Sequence, residues 1–118
     1  MLQIAIPVLA SLNEANTVKF YTEKLGFAFH ASWDGYLILS RDGIYIHLWP
    51  CANAAIAKST SCYIIVNEVE KLYAEYKSAG VVHPENELQD RPWKMKEFSI
   101  LDNNGNLIHF GQDISGVN

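Results

Sequence analysis

The sequence predicts an α+β domain of two tandem βαβββ units, a first half of about 1–57 and a second of about 58–118, forming a curved sheet around a cleft. Three observations predict it. A strand-like run leads into an amphipathic helix ended by glycine twice, at Gly26 and at Gly80. The two helix exits match, EKLGF at 23–27 against KSAGV at 77–81. The last strands of the halves also match, IYIHL at 44–48 against NLIHF at 106–110. The glycines lie 54 residues apart and His47 and His109 lie 62 apart, so the second half carries an eight-residue insertion, placed around 84–94. Two parallel halves that each bury a helix on one sheet face leave the other faces to curve around a shared cleft.

Each element has its own signal. Residues 2–9, LQIAIPVL, are rich in Ile and suit a strand, with Pro7 placing it at an edge or a bend. Ser11 and Glu14 have capping-box spacing, with Asn13 as a rival cap, and Val18, Tyr21 and Leu25 repeat at helical spacing up to Gly26. Strands are expected over 27–33, 36–40 and 44–49, divided by Asp34-Gly35 and Asp42-Gly43, a strong hairpin signal. The second half repeats the order. A strand at 61–66 precedes Asn67 and Glu70 as a second cap, then Val69, Leu72, Tyr73 and Tyr76 on one helix face, then strands at 97–101 and 107–110 across a turn at 102–105.

Composition narrows the function. The chain has 118 residues, enough for one domain, with 49% hydrophobic and 19% charged residues, so burial is plentiful. A net charge of −4 argues against nucleic acid as a partner. Cys51 and Cys62 are too few for a secreted disulfide scaffold and form no CxxC pair. The apolar start, MLQIAIPVLA, lacks a basic segment and is too short to span a bilayer, so the expectation is a cytoplasmic protein with no membrane partner.

Strand alternation then selects candidate residues. Ile44, Ile46 and Leu48 should pack on the helix, which leaves Tyr45, His47 and Trp49 on the cleft face; Ser61, Tyr63, Ile65, Leu107 and His109 follow by the same rule. The two histidines hold equivalent positions. As a metal pair they would need further ligands, and the first strands offer only Gln3 and Ser61, so no cofactor is expected; any metal would rest on His47 and His109. Aromatics are the stronger signal. Trp33, Tyr36, Trp49, Tyr63 and Trp93 fall on the cleft face or on loops beside it, where rings stack on flat ligands, whereas Tyr21, Tyr73, Tyr76, Phe98 and Phe110 read as core. Asp34, Glu85, Glu87 and Asp90 flank the same loops and suit either a solvated surface or a cationic ligand. No G-x-S-x-G, H-E-x-x-H or phosphate loop is present, and no residue stands out as a nucleophile.

The doubled pattern resembles the vicinal oxygen chelate superfamily of glyoxalase I, extradiol dioxygenases and bleomycin-resistance proteins. It is most similar to the bleomycin-binding branch through IPVL at 6–9, VKFYTEKLGF at 18–27, LYAEY at 72–76, PW followed by EF at 92–98, and D-x-x-GNxxHF at 102–110. In the enzymes of that superfamily, metal ligands sit on the first and last strands of each half, which here fall near Gln3–Ile4, on His47, on Ser61 and on His109. That half-empty set resembles the bleomycin-binding branch, which uses the cleft without metal catalysis. The resemblance implies a homodimer holding a bleomycin-type glycopeptide at its interface between aromatics matching Tyr36, Tyr63 and Trp93, with Pro7 as the hinge of an exchanged N-terminal strand. His47 and Trp49 depart from that branch. The alternatives are a metal-dependent lyase or dioxygenase using His47 and His109, or a binder of another small molecule. The expected ligand-contacting set is Trp33, Tyr36, His47, Trp49, Ser61, Tyr63, Trp93 and His109, with no catalytic residue.

Overall fold

A computed structural model describes residues 1–116. The element order is β1 (Val8–Ser11), α1 (Glu14–Glu23), β2 (Ala28–Trp33), β3 (Tyr36–Arg41), β4 (Ile44–Pro50), a short α2 (Ala54–Ala57), β5 (Ser61–Ile65), α3 (Val69–Ser78), β6 (Gln89–Arg91), β7 (Met95–Leu101) and β8 (Leu107–Asp113). This is βαβββ twice, in two four-stranded sheets ordered β1-β4-β3-β2 and β5-β8-β7-β6. In each sheet the first strand runs parallel to the last, and the other pairings are antiparallel.

The chain forms two compact units, 1–60 with 103–106, and 61–102 with 107–116. In the first, Leu9, Leu37, Leu39, Ile46 and Leu48 are buried with Tyr21, Leu25 and Phe27. In the second, Phe98, Ile100, Ile108 and Phe110 are buried with Val69 and Tyr76 of α3. Phe98 stacks on Phe110 at 5.3 Å and meets Tyr73 edge-on, so the aromatics read as core pack in that role, with Tyr73 half-buried. Both Asp-Gly pairs turn with positive φ at each residue (50° and 85°, then 52° and 77°), the two-residue geometry that matches strand twist.

Several expectations need correction. The first strand begins at Val8, not at residue 2. Residues 1–7 lie outside any regular element, with Met1, Leu2 and Ile4 exposed. Ser11 does not cap α1. Asn13 does, its side chain accepting from Asn16 N at 2.9 Å, because Ser11 is still in the strand and its Oγ pairs with Thr17 Oγ1 at 2.9 Å. Nor does Asn67 cap α3. The N-cap position is Glu68, which makes no side-chain cap bond, and Gln112 Oε1 of β8 accepts from Val69 N at 2.9 Å instead. The segment expected as an insertion loop contains a short edge strand, β6, and α2 carried no clear sequence signal.

The turn at 103–106 is bound up with the first unit through asparagine side chains. Asn106, fully buried, accepts from Ala10 N at 3.4 Å and from Thr60 Oγ1, and donates to Ala10 O at 2.8 Å. Asn104 Oδ1 accepts from Leu12 N at 2.8 Å and from Thr17 Oγ1 at 3.3 Å. These amides satisfy backbone groups of an edge strand that has a neighbour strand on one side only.

Candidate functional site

In each sheet the face turned away from the helix carries polar and aromatic side chains. In the second unit the parallel register sets Tyr63 beside His109, and the antiparallel register sets His109 opposite Ser99. The Tyr63 and His109 rings stack, with centroids 5.9 Å apart and planes 29° apart. Ser99 Oγ lies 2.7 Å from His109 Nδ1, which fixes the imidazole and leaves Nε2 without a protein partner among the described residues.

The next row holds a residue that sequence reasoning passed over. Glu97 faces Gly111 across the ladder and is only 7% exposed. Tyr63 Oη donates to Glu97 Oε2. Arg91 Nε lies 3.3 Å from Glu97 Oε1, close enough for ion pairing but without an aligned hydrogen bond. The Arg91 guanidinium sits over the Trp93 ring, 5.7 Å from its centroid. The phenol fits here because Gly111 has no side chain; a Cβ there would lie 2.0 Å from Tyr63 Oη. Burial, and then the Glu97 carboxylate, push the Tyr63 phenol up to about 12. A charged residue at the start of the apolar run EFSIL, in phase with Ser99, was the available signal for Glu97. Nothing in the sequence marked the room left at Gly111.

In the first unit Tyr36 Oη and His47 Nδ1 are 2.9 Å apart, with the rings edge to face. His30 and Ser40 pair at 2.6 Å on the same sheet, and His30 packs 5.3 Å from Tyr45. Trp33 is 80% exposed at the hairpin tip. Trp49 is half-buried against Ala10, Cys51 and Ala57, so much of that ring supports the α2 contact. Ser61 is exposed and lies beside Leu107 rather than His109. The structure therefore brings Tyr36 together with His47, and Tyr63 with His109. It does not draw Ser61 or Trp33 into either cluster.

The acidic loop residues are partly committed to lysines. Lys77 pairs with Glu87, and Lys96 lies 2.8 Å from Glu70 and 3.8 Å from Asp90. Each partner stabilises the charged form, so the Glu70 and Glu87 carboxyls are held below their usual range and the Lys77 and Lys96 ammoniums above theirs. Cys62, by contrast, is pushed up to about 11 by burial and by the nearby Asp102 carboxylate.

The donors for a resident metal do not fit. Val8, not Gln3, is the residue paired with His47, and a valine side chain offers no lone pair. Among the described residues no three His, Cys, Asp or Glu side chains gather in metal-holding geometry.

A fold of two βαβββ units, with a histidine on each last strand beside a tyrosine, defines the class. The chain matches the family model of the glyoxalase/bleomycin resistance protein/dioxygenase superfamily over residues 13–110 and belongs to that family. Among its relatives is a bleomycin resistance protein of Geobacillus stearothermophilus, 33% identical over 97% of this chain and 98% of that one. The bleomycin resistance determinant encoded on the transposon Tn5 superposes with a TM-score of 0.80 at 25% identity, over 95% of this chain and 98% of that one. The bleomycin-binding protein of Streptomyces verticillus, solved with copper(II)-bleomycin, also gives 0.80 at 25% identity, over 93% and 97%.

Proposed function

We propose that this protein binds and sequesters a bleomycin-type glycopeptide without catalysis, in the cytoplasm, as a homodimer. The observation that carries the reading is the full-length relationship to a bleomycin resistance protein, at 33% identity over 97% of the chain. The chemistry of the sheet faces agrees with it. Tyr63 and Trp93 are 44% and 59% exposed, rings available for stacking on flat heterocycles, and the net charge of −4 of the chain tolerates a cationic drug tail. Trp33, Tyr36, His47, Trp49, Ser61 and His109 complete the proposed contact set.

Sequestration needs affinity alone. A micromolar drug complex corresponds to about −8 kcal/mol and a nanomolar one to about −12 kcal/mol. Tryptophan quenching during titration with metal-free and copper-loaded bleomycin tests it, and saturable quenching is expected. A flat signal up to high micromolar drug refutes the assignment.

The homodimer is supported by the N-terminal segment, where Met1, Leu2 and Ile4 are exposed outside any regular element and Pro7 ends the segment ahead of β1. Sedimentation should give twice the mass of the 13.3 kDa chain, and deletion of residues 1–6 should shift it to the monomer. A metal-dependent lyase or dioxygenase would show stoichiometric metal that is lost in His47→Ala.

A further inference from the structure

We propose that Glu97 is the positioning residue of the ligand face: its one buried carboxylate orients both Tyr63 and Trp93. The proposal rests on the reading that those two rings meet the ligand. Trp93 is 59% exposed, and Tyr63, 44% exposed, is packed by His109 on one ring face, so packing alone leaves each ring partly free. Each is tied to the same group. Oε2 takes the Tyr63 hydroxyl, while Oε1 faces Arg91, whose guanidinium lies over the Trp93 ring at 5.7 Å. Glu97 itself is fixed by its place inside β7, paired with Gly111 on one side and Gln89 on the other. A rigid strand therefore sets the placement of one ring on β5 and one in the turn after β6. That turn is short, closed by Lys94 N donating to Arg91 O at 3.1 Å, with Lys94 at φ +65°. Trp93 thus has few ways to move once Arg91 is held.

Charge and acceptor count explain why glutamate serves here. A carboxylate accepts at both oxygens, whereas a glutamine presents one acceptor and one donor. Arg91 cannot accept, so in Glu97→Gln the amide oxygen satisfies only one partner and the ion pair is lost. The two arms therefore separate by substitution. Glu97→Gln should release Arg91 and Trp93, and Tyr63 can stay bonded to the amide. Arg91→Lys keeps a cation near Glu97 but loses the planar group over Trp93. Tyr63→Phe cuts the other arm alone.

The test uses the full chain labelled with 5-fluorotryptophan, read by fluorine NMR without drug, with the Trp93 line assigned from Trp93→Phe. The Trp93 line should shift or broaden in Glu97→Gln and in Arg91→Lys and stay in place in Tyr63→Phe, while the Trp33 line stays in place in all three. In bleomycin titrations each freed ring should weaken binding by about threefold to tenfold, the cost of ordering a loose side chain on binding. A Trp93 line unchanged in a folded Glu97→Gln protein overturns the proposal, as does one equally displaced by Tyr63→Phe. Glu97→Asp, which keeps the charge but draws it back from Arg91, decides the matter if Glu97→Gln does not fold: an unchanged Trp93 line there overturns the proposal. A wild-type protein that ignores bleomycin defeats the drug assignment and leaves the fluorine result to judge Glu97.

Discussion

Adding one methyl group at Gly111 should displace a ring that the rest of the fold leaves in place. The new Cβ would lie 2.0 Å from Tyr63 Oη and 2.7 Å from Cζ, so the phenol has to swing out. Gly111 is not among the residues with positive φ, so alanine meets no backbone penalty there. The displaced ring gives up its bond to the Glu97 carboxylate, about 1.5 kcal/mol for a charge-assisted bond that water partly replaces. It also gives up the stack on His109, about 0.5 kcal/mol at this half-exposed position. Against this, alanine restricts the unfolded chain and returns about 0.5 kcal/mol. The net cost is about 1–2 kcal/mol, or a fall in Tm of about 5 °C at this size. The assay is urea unfolding of a double-mutant cycle: wild type, Gly111→Ala, Tyr63→Ala and the pair. In the Tyr63→Ala background the added methyl should cost nothing or stabilise slightly. An equal cost in both backgrounds, or none in the wild type, refutes the reasoning.

Other expectations follow from groups already described. The Tyr63 phenol, held up at about 12 by burial and by Glu97, has a folded value above its unfolded value near 10, so the stability it contributes is complete below about pH 10 and is lost as pH rises through 12; difference absorbance of tyrosinate should lose a late-titrating component near pH 12 in Tyr63→Phe. With its thiol at about 11, Cys62 should be about one part in a thousand thiolate at pH 8, and native protein should react with a thiol reagent far more slowly than protein in denaturant. Asn106→Ala strips partners from both backbone groups of Ala10 and should cost about 2–4 kcal/mol in urea unfolding, whereas Asn103→Ala, at an exposed position, should cost under about 1 kcal/mol.

Much of the fold could be read from periodicity and turn chemistry. Gly26 and Gly80 take the left-handed conformation that their positions after the helices require, and the Asp-Gly pairs form the expected turns. Alternation separated the faces of β4 and β8, which bury Ile46 and Leu48, and Ile108 and Phe110, and where a slip of one residue would reverse them; Ile44, expected on the helix with Ile46, is exposed, and β5 buries neither face fully. Caps were harder. Ser11 and Asn67 have the right side chains, but where a strand ends or a remote glutamine reaches a helix N-terminus is decided by tertiary packing. LQIAI has β-forming side chains yet no strand begins before Val8, because propensity says nothing of whether a neighbouring strand is present to pair with. At the candidate site the histidines and tyrosines were legible from alternation. Glu97 and Arg91 were not, since their pairing depends on the register of β6 and β7 across a turn whose length the sequence does not announce.

The asparagine turn at 103–106 bears on how the molecule is made. Ala10 and Asn106 are 96 residues apart, yet both belong to the first compact unit. During synthesis, the first sixty residues leave the ribosome with their edge strand lacking the amides that will serve it. That unit is completed only when nearly the whole chain has emerged. Cutting the gene at the repeat boundary would therefore yield a first half that never acquires those amides, and the two copies, however alike, no longer count as interchangeable modules.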